Sequence, residues 1–182
     1  RAIRFSAQLN FDVASNIIES ISKNKNRIEI ISWERITNEI IKILNTKKPS
    51  IGFYLLRETG LLDIILPEFS IMGGVETINN MSHKDVFIHT LQVIDNVSNL
   101  SDKMEIRFSA LVHDIAKPQT KKFYSDKGWT YYGHEIVGVG LMKKLAKRMK
   151  LPNKLRDYLC MMIKLHLRPI SLAKESVTDS AV

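Results

Sequence analysis

A histidine and an aspartate stand side by side where an apolar helical run ends, in the stretch SALVHDIAKPQT that covers residues 109–120. His113 and Asp114 are both good metal ligands, and Lys117 follows three residues after the aspartate. A buried charge without a partner is costly, so the pair requires a solvated position, a salt partner or a metal ion. Which of these applies to His113 and Asp114 therefore depends on the other side chains that lie close to them in the fold.

The histidines are confined to the later part of the chain, where all five lie at or after position 83. Four of them fall in or at the edge of a predicted helix: His89, His113, His134 and His166. Imidazole is the commonest protein metal ligand, and a neighbouring carboxylate adds the charge that holds a divalent cation. Two of the predicted helices could bring His89, His113 and Asp114 to one centre, and a hydrogen-bonded core position is the alternative for each histidine. His83 is interpreted as a surface or capping residue.

The elements that must position these side chains are helices. Apolar residues recur with a helical period in four segments of the later part, at 85–99, 104–116, 134–149 and 153–166. Between the second and third segments, KKFYSDKGWTYYG predicts one small β-hairpin. Further helical segments precede Gly73-Gly74 and Asn79-Asn80, which are interpreted as a linker. The pattern predicts an all-α protein with a helical segment at 1–75 and a helical domain at 76–182.

Composition narrows the class of protein. With 45% hydrophobic residues the chain can bury a core, and its apolar runs are far shorter than the roughly 20 residues that span a bilayer. The single cysteine, Cys160, excludes an internal disulfide and fits a reducing cytoplasm. We therefore expect a cytoplasmic protein without a membrane partner, and no pattern selects an oligomeric state.

The charge balance favours a polyanionic partner. The net charge is +8, and residues 76–182 carry 17 Lys/Arg against 11 Asp/Glu. The basic segment LMKKLAKRMK would bind an RNA backbone through its charges, whereas the alternative is a solvated helix face. The residues predicted to contact RNA are Arg1, Arg4, Lys143, Lys144, Lys147 and Arg148.

Four segments taken together resemble the HD superfamily of metal-dependent phosphohydrolases: HTLQVIDN, ALVHDIAKPQT, GHEIVGVG and KLHLRP. They are most similar to the version attached to bacterial tRNA nucleotidyltransferases (CCA-adding enzymes) and poly(A) polymerases. RAIRFSAQLNF resembles the neck of those enzymes, while SWERITNEIIKIL and GFYLLRETGLLDIILPEF resemble their helical, RNA-facing body. The resemblance covers almost the whole chain, and both halves occur in the family's order.

The resemblance implies roles for individual residues. It implies metal ligation by His89, His113 and Asp114, and in some members of the superfamily further histidines hold a second ion, at places matched by His134 and His166. Lys117 matches a cation that the superfamily often keeps near a substrate phosphate; the alternative is a solvated lysine before a proline. For the superfamily's final aspartate ligand, Asp179 is a candidate by order, and a residue beyond Val182 is the alternative.

The implied chemistry is metal-dependent phosphoester hydrolysis. A bound ion would polarise a phosphoryl oxygen and lower the pKa of a water ligand, and Asp114 would bridge if two ions bind. Mixed imidazole and carboxylate ligands suit Zn, Mn, Fe, Co or Ni about equally, and so many nitrogens make Mg less favoured.

We expect the chain to be an internal piece of a longer nucleotidyltransferase that acts on RNA, most plausibly tRNA. The polymerase head with its acidic metal pair is not in this sequence, so the piece alone is expected to add no CMP or AMP. At most it would be a phosphohydrolase or phosphodiesterase with a phosphoester or nucleotide substrate. Two alternatives remain: a catalytically silent RNA-binding module of the same parent, and a stand-alone HD nucleotide phosphohydrolase.

Overall fold

The computed structural model describes residues 1–169, and these residues are mainly helical. The first part of the chain contains α1 (Ala2–Leu9), α2 (Ser15–Lys23), a 3-10 helix (Lys25–Ile30), α3 (Trp33–Leu44), α4 (Ser50–Glu58), α5 (Leu61–Ile65) and α6 (Pro67–Ser70). The second contains β1 (Thr77–Ile78), β2 (Met81–Ser82), α7 (Val86–Leu100), α8 (Met104–Val112), α9 (Lys117–Thr120), β3 (Lys122–Tyr124), β4 (Gly128–Thr130), α10 (His134–Arg148) and α11 (Asn153–Leu165).

Amphipathic helices build the first part. In α3, Ile36, Ile40, Ile43 and Leu44 are buried, which is the spacing of one helical face. A Cβ on Gly52 of α4 would lie 2.5 Å from Cγ2 of Ile43, so glycine allows the two helices to pack this closely. Helix α1 packs against both of them. The NKNRIE stretch, expected to be a polar loop, instead forms most of the 3-10 helix.

One hydrophobic core runs through both parts of the chain. Helix α3 packs on α8, and α4 packs on α7. The rings of Phe53, Phe69 and Phe87 meet in this core, with centroids 5.7 Å apart for the first pair and 5.3 Å for the second. The helices that carry the histidines are therefore packed directly on the amino-terminal helices.

The buried guanidinium of Arg107 in α8 links the two parts. It donates to the carbonyls of Leu44 and Thr46 after α3, each at 3.0 Å. It also donates to the carbonyl of Ser98 at 2.9 Å and to that of Ser101 at 2.7 Å. Because carbonyls left without donors in the interior are costly, this one side chain fixes the end of α3 against α8.

The predicted all-α fold is confirmed, with one difference in the hairpins. The expected hairpin is present as β3 paired antiparallel with β4. A second one, β1 with β2, lies where a linker was expected, because Asn79 and Asn80 both adopt positive φ, of 50° and 60°. Two consecutive residues with positive φ make the tight turn that joins hairpin strands, and asparagine tolerates that conformation. Among residues 1–169, no helix has the length and apolar character needed to cross a membrane.

Candidate metal centre

The carboxylate of Asp114 lies at the centre of the histidine cluster. The residue follows the end of α8 and is 1% exposed. Its Oδ2 lies 3.1 Å from Nε2 of His113 and 3.8 Å from Nε2 of His89. Nζ of Lys117 donates to the same oxygen at 2.6 Å. One oxygen of the carboxylate thus faces two imidazoles and an ammonium group.

The other carboxylate oxygen faces a second pair of imidazoles. Oδ1 of Asp114 lies 3.4 Å from Nε2 of His134 and 3.7 Å from Nε2 of His166. The ligand atoms form two groups, His89 with His113 and Asp114, and Asp114 with His134 and His166, in which all atoms lie within 4.8 Å of one another. A carboxylate shared by two such groups has the geometry to contact two neighbouring divalent ions.

Backbone carbonyls orient three of the four imidazoles. In each case Nδ1 donates to a carbonyl three residues earlier: His113 to Ala110 at 2.8 Å, His134 to Tyr131 at 2.7 Å and His166 to Ile163 at 2.7 Å. Nε2 of each ring faces Asp114; it donates a hydrogen bond to that carboxylate when the imidazole is protonated, and its lone pair is available to a metal when the imidazole is neutral. Fixing the ring and its tautomer in this way raises the basicity of an imidazole ligand.

Electrostatic interactions keep the carboxyl group of Asp114 ionised. Burial alone would raise the pKa of Asp114, but hydrogen bonds from His113, His134 and His166 hold that pKa well below its usual value. The hydrogen bond to Asp114 raises the pKa of His134, whereas burial lowers the pKa of His89. The aspartate therefore stays ionised, as a cation-binding carboxylate must.

Local sequence explains how each ligand reaches the centre. Oδ1 of Asp85 accepts a hydrogen bond from the backbone N–H of Ile88 at 2.9 Å and caps α7, the helix that carries His89. His134 is the first residue of α10, directly after Gly133, whose φ is 76°. A Cβ on Gly138 would lie 2.8 Å from Cγ2 of Ile163, so this glycine lets α10 approach α11 closely. His166 then directly follows α11.

A cleft of about 750 Å³ opens beside the centre. His89 and Lys117 lie at its inner side, and the ammonium of Lys117 is 5.4 Å from the centroid of the Tyr131 ring. The remaining lining residues are Asn80, Met81, Ser82, His83, Lys84, Val86, Lys127, Gly128, Trp129 and Tyr131. The two hairpins therefore form most of the wall.

Sequence reasoning identified the β3–β4 hairpin of this wall but not the β1–β2 hairpin. Lys84 was not singled out, and Trp129 and Tyr131 were assigned to a hairpin without a connection to the histidines. His83, interpreted as a surface or capping residue, is partly buried, and its ring centroid lies 5.0 Å from that of Trp129. Asp85, not His83, caps α7. The Asn79-Asn80 turn was the available signal for the second hairpin. Asp179 lies outside the described residues.

The basic residues predicted to contact RNA differ in their exposure and in their ion-pair partners. Lys143, Lys144 and Lys147 are exposed on α10, and Arg1 is exposed at the start of the chain. By contrast, Nε of Arg4 donates to Glu39 at 2.8 Å. Arg148 forms two hydrogen bonds with the carboxylate of Glu68, at 2.7 and 2.6 Å. These two arginines thus have acidic partners within the fold.

Comparison with known proteins matches both parts of the chain. Residues 10–72 match the family model described as "Probable RNA and SrmB- binding site of polymerase A". Residues 86–181 match the model of the HD domain.

Relatives with both parts are also found. A "Multifunctional CCA protein" of Shewanella frigidimarina (strain NCIMB 400) is 33% identical over 164 residues, which is 86% of this chain and 39% of the relative. A protein of the same name from Psychromonas ingrahamii (strain DSM 17664 / CCUG 51855 / 37) is 32% identical over 173 residues, covering 91% of this chain and 41% of the relative. The chain thus spans about two fifths of the length of these relatives.

Proposed function

The chain belongs to the HD domain family, and from that premise we propose that its histidine cluster binds divalent metal and hydrolyses phosphoesters. The observation that supports this most directly is the buried Asp114 carboxylate, with a pair of imidazoles facing each of its oxygens. A cluster that served only to fill a core would not need four imidazoles around one carboxylate. The donor set of nitrogen and carboxylate oxygen fits Zn, Mn, Fe, Co or Ni.

The residues of the cluster would have different roles at the centre. His89 and His113 would hold one ion with Oδ2 of Asp114, and His134 and His166 a second with Oδ1. Bound ions supply Lewis acidity and an activated water. Lys117, 2.6 Å from Asp114, places a positive charge where a substrate phosphate would approach from the cleft, and offsets the charge of that phosphate. Because Asp114 is almost fully buried, its charge is little screened by water.

Metal analysis and hydrolysis assays test the proposal together. The chain is loaded with Mn, Ni or Zn, dialysed and assayed on phosphomonoesters and 2′,3′-cyclic nucleotides. We expect bound metal and metal-dependent hydrolysis, with Asp114→Asn reducing the rate by at least about 100-fold. Asp12→Asn is the matched control, because Asp12 is exposed and lies in the first part of the chain. A wild-type chain that holds no metal after loading, or an Asp114→Asn variant of full activity, would overturn the proposal.

We also propose that the parent protein is a tRNA nucleotidyltransferase of the CCA-adding type, and that this piece contacts its RNA. The match at residues 10–72 to an RNA-binding site and the exposed lysines of α10 favour this. The match at residues 10–72 also makes a segment of such a parent a better account of the chain than a stand-alone phosphohydrolase. The addition of nucleotides is assigned to the part of the parent outside this chain.

The RNA contact is tested by measuring tRNA affinity against salt concentration. Each phosphate contact that is lost reduces the slope of log K against log salt by roughly 0.7 to 0.9. We expect the triple variant Lys143→Gln/Lys144→Gln/Lys147→Gln to bind tRNA more weakly and with a shallower slope. Lys23→Gln/Lys103→Gln/Lys122→Gln, at three exposed positions outside α10, is a control with the same change in charge. An unchanged slope in the triple variant would exclude the α10 surface as an RNA contact.

If the chain binds RNA but neither binds metal nor hydrolyses a phosphoester, the alternative of a catalytically silent RNA-binding module would be supported.

A further inference from the structure

The cleft beside the metal centre is larger than a reacting phosphate needs. Its volume of about 750 Å³ lies within the roughly 300–1,000 Å³ typical of sites for whole small molecules. It extends from His89 and Lys117 to the two hairpins. A substrate whose phosphate lies at the centre would therefore have the rest of its structure against the hairpin wall.

The charges along this wall are all of one sign. None of the residues that line the cleft, within the described part of the chain, is acidic. Three lysines line it, and they differ in their partners. Lys117 is paired with Asp114 at the metal centre, whereas Lys84 and Lys127 form no ion pair among residues 1–169. Lys121 lies nearby but is bonded to Glu76. Two of the lysines that line the cleft thus have no ion-pair partner among residues 1–169.

The wall that carries these two lysines is fixed in place. Nε1 of Trp129 donates to the carbonyl of Met81 at 2.8 Å and joins one hairpin to the other. Nε2 of His83 accepts from the backbone N–H of Glu76 at 3.1 Å, and Nδ1 donates to the carbonyl of Lys84 at 2.9 Å. These contacts order the backbone on which Lys84 stands. Ordered positions reduce the entropy lost when a cationic side chain binds an anion.

We infer that Lys84 and Lys127 form a subsite for a second phosphate of the substrate, separate from the phosphate that is hydrolysed. The inference rests on the proposed function, because it places the reacting phosphate at Asp114 and Lys117. The substrate class is a nucleotide with two phosphates on one nucleoside. This chemistry has two sources, a free nucleoside 3′,5′-bisphosphate and the end of an RNA strand with a terminal 3′-phosphate.

Steady-state kinetics on the metal-loaded chain test the subsite. The substrates are adenosine 3′-phosphate, adenosine 3′,5′-bisphosphate and a short oligonucleotide with a 3′-phosphate, with products identified by chromatography. We expect KM for the two-phosphate substrates to be about tenfold lower than for the monophosphate, as a charge-assisted hydrogen bond would give. The variant Lys84→Gln/Lys127→Gln should reduce this KM ratio to about one. The control Lys103→Gln/Lys122→Gln changes two exposed lysines that do not line the cleft, and should retain the ratio.

The outcomes separate the subsite from the proposed function. Hydrolysis with equal KM for one and two phosphates, or a ratio that survives in Lys84→Gln/Lys127→Gln, overturns the subsite and leaves the hydrolase intact. A lower KM for the bisphosphate than for the oligonucleotide identifies the free nucleotide as the source, and the reverse identifies the RNA end. If no substrate is hydrolysed, the proposed function fails, and calorimetric titration of the bisphosphate into both double variants still decides whether the two lysines bind it.

Discussion

At the scale of single residues, the centre depends on how Asp114 divides its two oxygens. Oδ2 faces His89 and His113, while Oδ1 faces His134 and His166. A carboxylate that is 1% exposed can hold its charge only with such partners. The imidazoles that surround this charge are also the ligands that the proposed two-ion site would use.

Because each oxygen of Asp114 faces its own pair of imidazoles, the number of bound ions should fall by one or by two in individual variants. The wild-type chain is expected to bind two divalent ions, and His134→Ala to retain only the ion held by His89, His113 and Asp114. Asp114→Ala is expected to lose both, because it removes the shared ligand. Loss of a direct ligand should weaken binding by more than the roughly 10–100-fold that loss of a supporting hydrogen bond costs. Elemental analysis after dialysis against a fixed concentration of free metal measures the count.

His83→Ala is the matched control for this stoichiometry. It removes an imidazole that lies on the hairpin wall, where Nε2 accepts from the backbone N–H of Glu76. It should therefore bind as many ions as the wild type. A His134→Ala variant that still binds two ions would show that the Oδ1 side of Asp114 is not a separate site.

At the scale of elements, the four histidine-bearing helices could be predicted from the sequence because they are long and periodic. The predicted segments 85–99 and 134–149 match α7 and α10 to within one residue at each end. Helix α8, expected to extend to 116, ends at Val112, so His113 and Asp114 lie in the turn that follows. That they converge could be inferred only from the resemblance, since spacing along a chain does not determine how helices pack.

The hairpin wall could not be predicted in the same way. Strands of two residues, as in β1 and β2, are too short to show the alternation that indicates a strand. The contact that joins the hairpins, from Trp129 to Met81, spans 48 positions, and no local pattern encodes it. The cleft is therefore a property of the folded chain.

An ion pair between elements predicts a pH dependence of stability. Arg148 of α10 pairs with Glu68 of α6 through two hydrogen bonds, at 2.7 and 2.6 Å. Burial alone would raise the pKa of Glu68, but the hydrogen bonds from Arg148 bring the net pKa below its usual value. A depressed pKa means that the pair stabilises the fold above the pKa of the unfolded chain, about 4.3. The contribution is then lost as the pH falls through the lower pKa of the folded state.

The variant Glu68→Gln tests this dependence by urea denaturation between pH 3 and 7. We expect it to lower the free energy of unfolding by roughly 1–3 kcal/mol at pH 7, the range for a hydrogen bond to a charged group. The difference from the wild type should shrink below about pH 4.3. Glu58→Gln, at an exposed position on α4, should differ by less than about 0.5 kcal/mol at every pH. A Glu68→Gln deficit that stays constant with pH would show that lost packing, not charge, causes it.

At the scale of the whole molecule, the two parts of the chain share a core. The proposed boundary between 75 and 76 separates the two segments that match different families, yet buried residues from both sides form one cluster. Arg107 adds hydrogen bonds across this boundary, to the carbonyls of Leu44 and Thr46. The helices α7, α8, α10 and α11, which position the candidate metal ligands, therefore share their core with the segment that matches the polymerase A model.

The shared core predicts one cooperative unfolding transition, and the tryptophans provide a probe in each part. Trp33→Phe leaves Trp129 on the hairpin wall as the fluorescent reporter, and Trp129→Phe leaves Trp33 at the start of α3. In each variant, the urea midpoint from fluorescence should coincide with the midpoint from far-ultraviolet circular dichroism, as two-state unfolding requires. Adding Arg107→Leu should lower both midpoints together and reduce the free energy of unfolding by roughly 2–4 kcal/mol, since it leaves buried carbonyls without donors.

Arg156→Leu is the control for the loss of an arginine, because its guanidinium is exposed and pairs with its neighbour Asp157. It should change the free energy of unfolding reported by either probe by no more than about 0.5 kcal/mol. Separate midpoints, with Trp33 reporting one transition and Trp129 another, would mean that the two parts unfold independently despite their contact. A single transition that Arg107→Leu shifts as a unit would mean that the contacts between residues 1–75 and 76–169 stabilise both parts together.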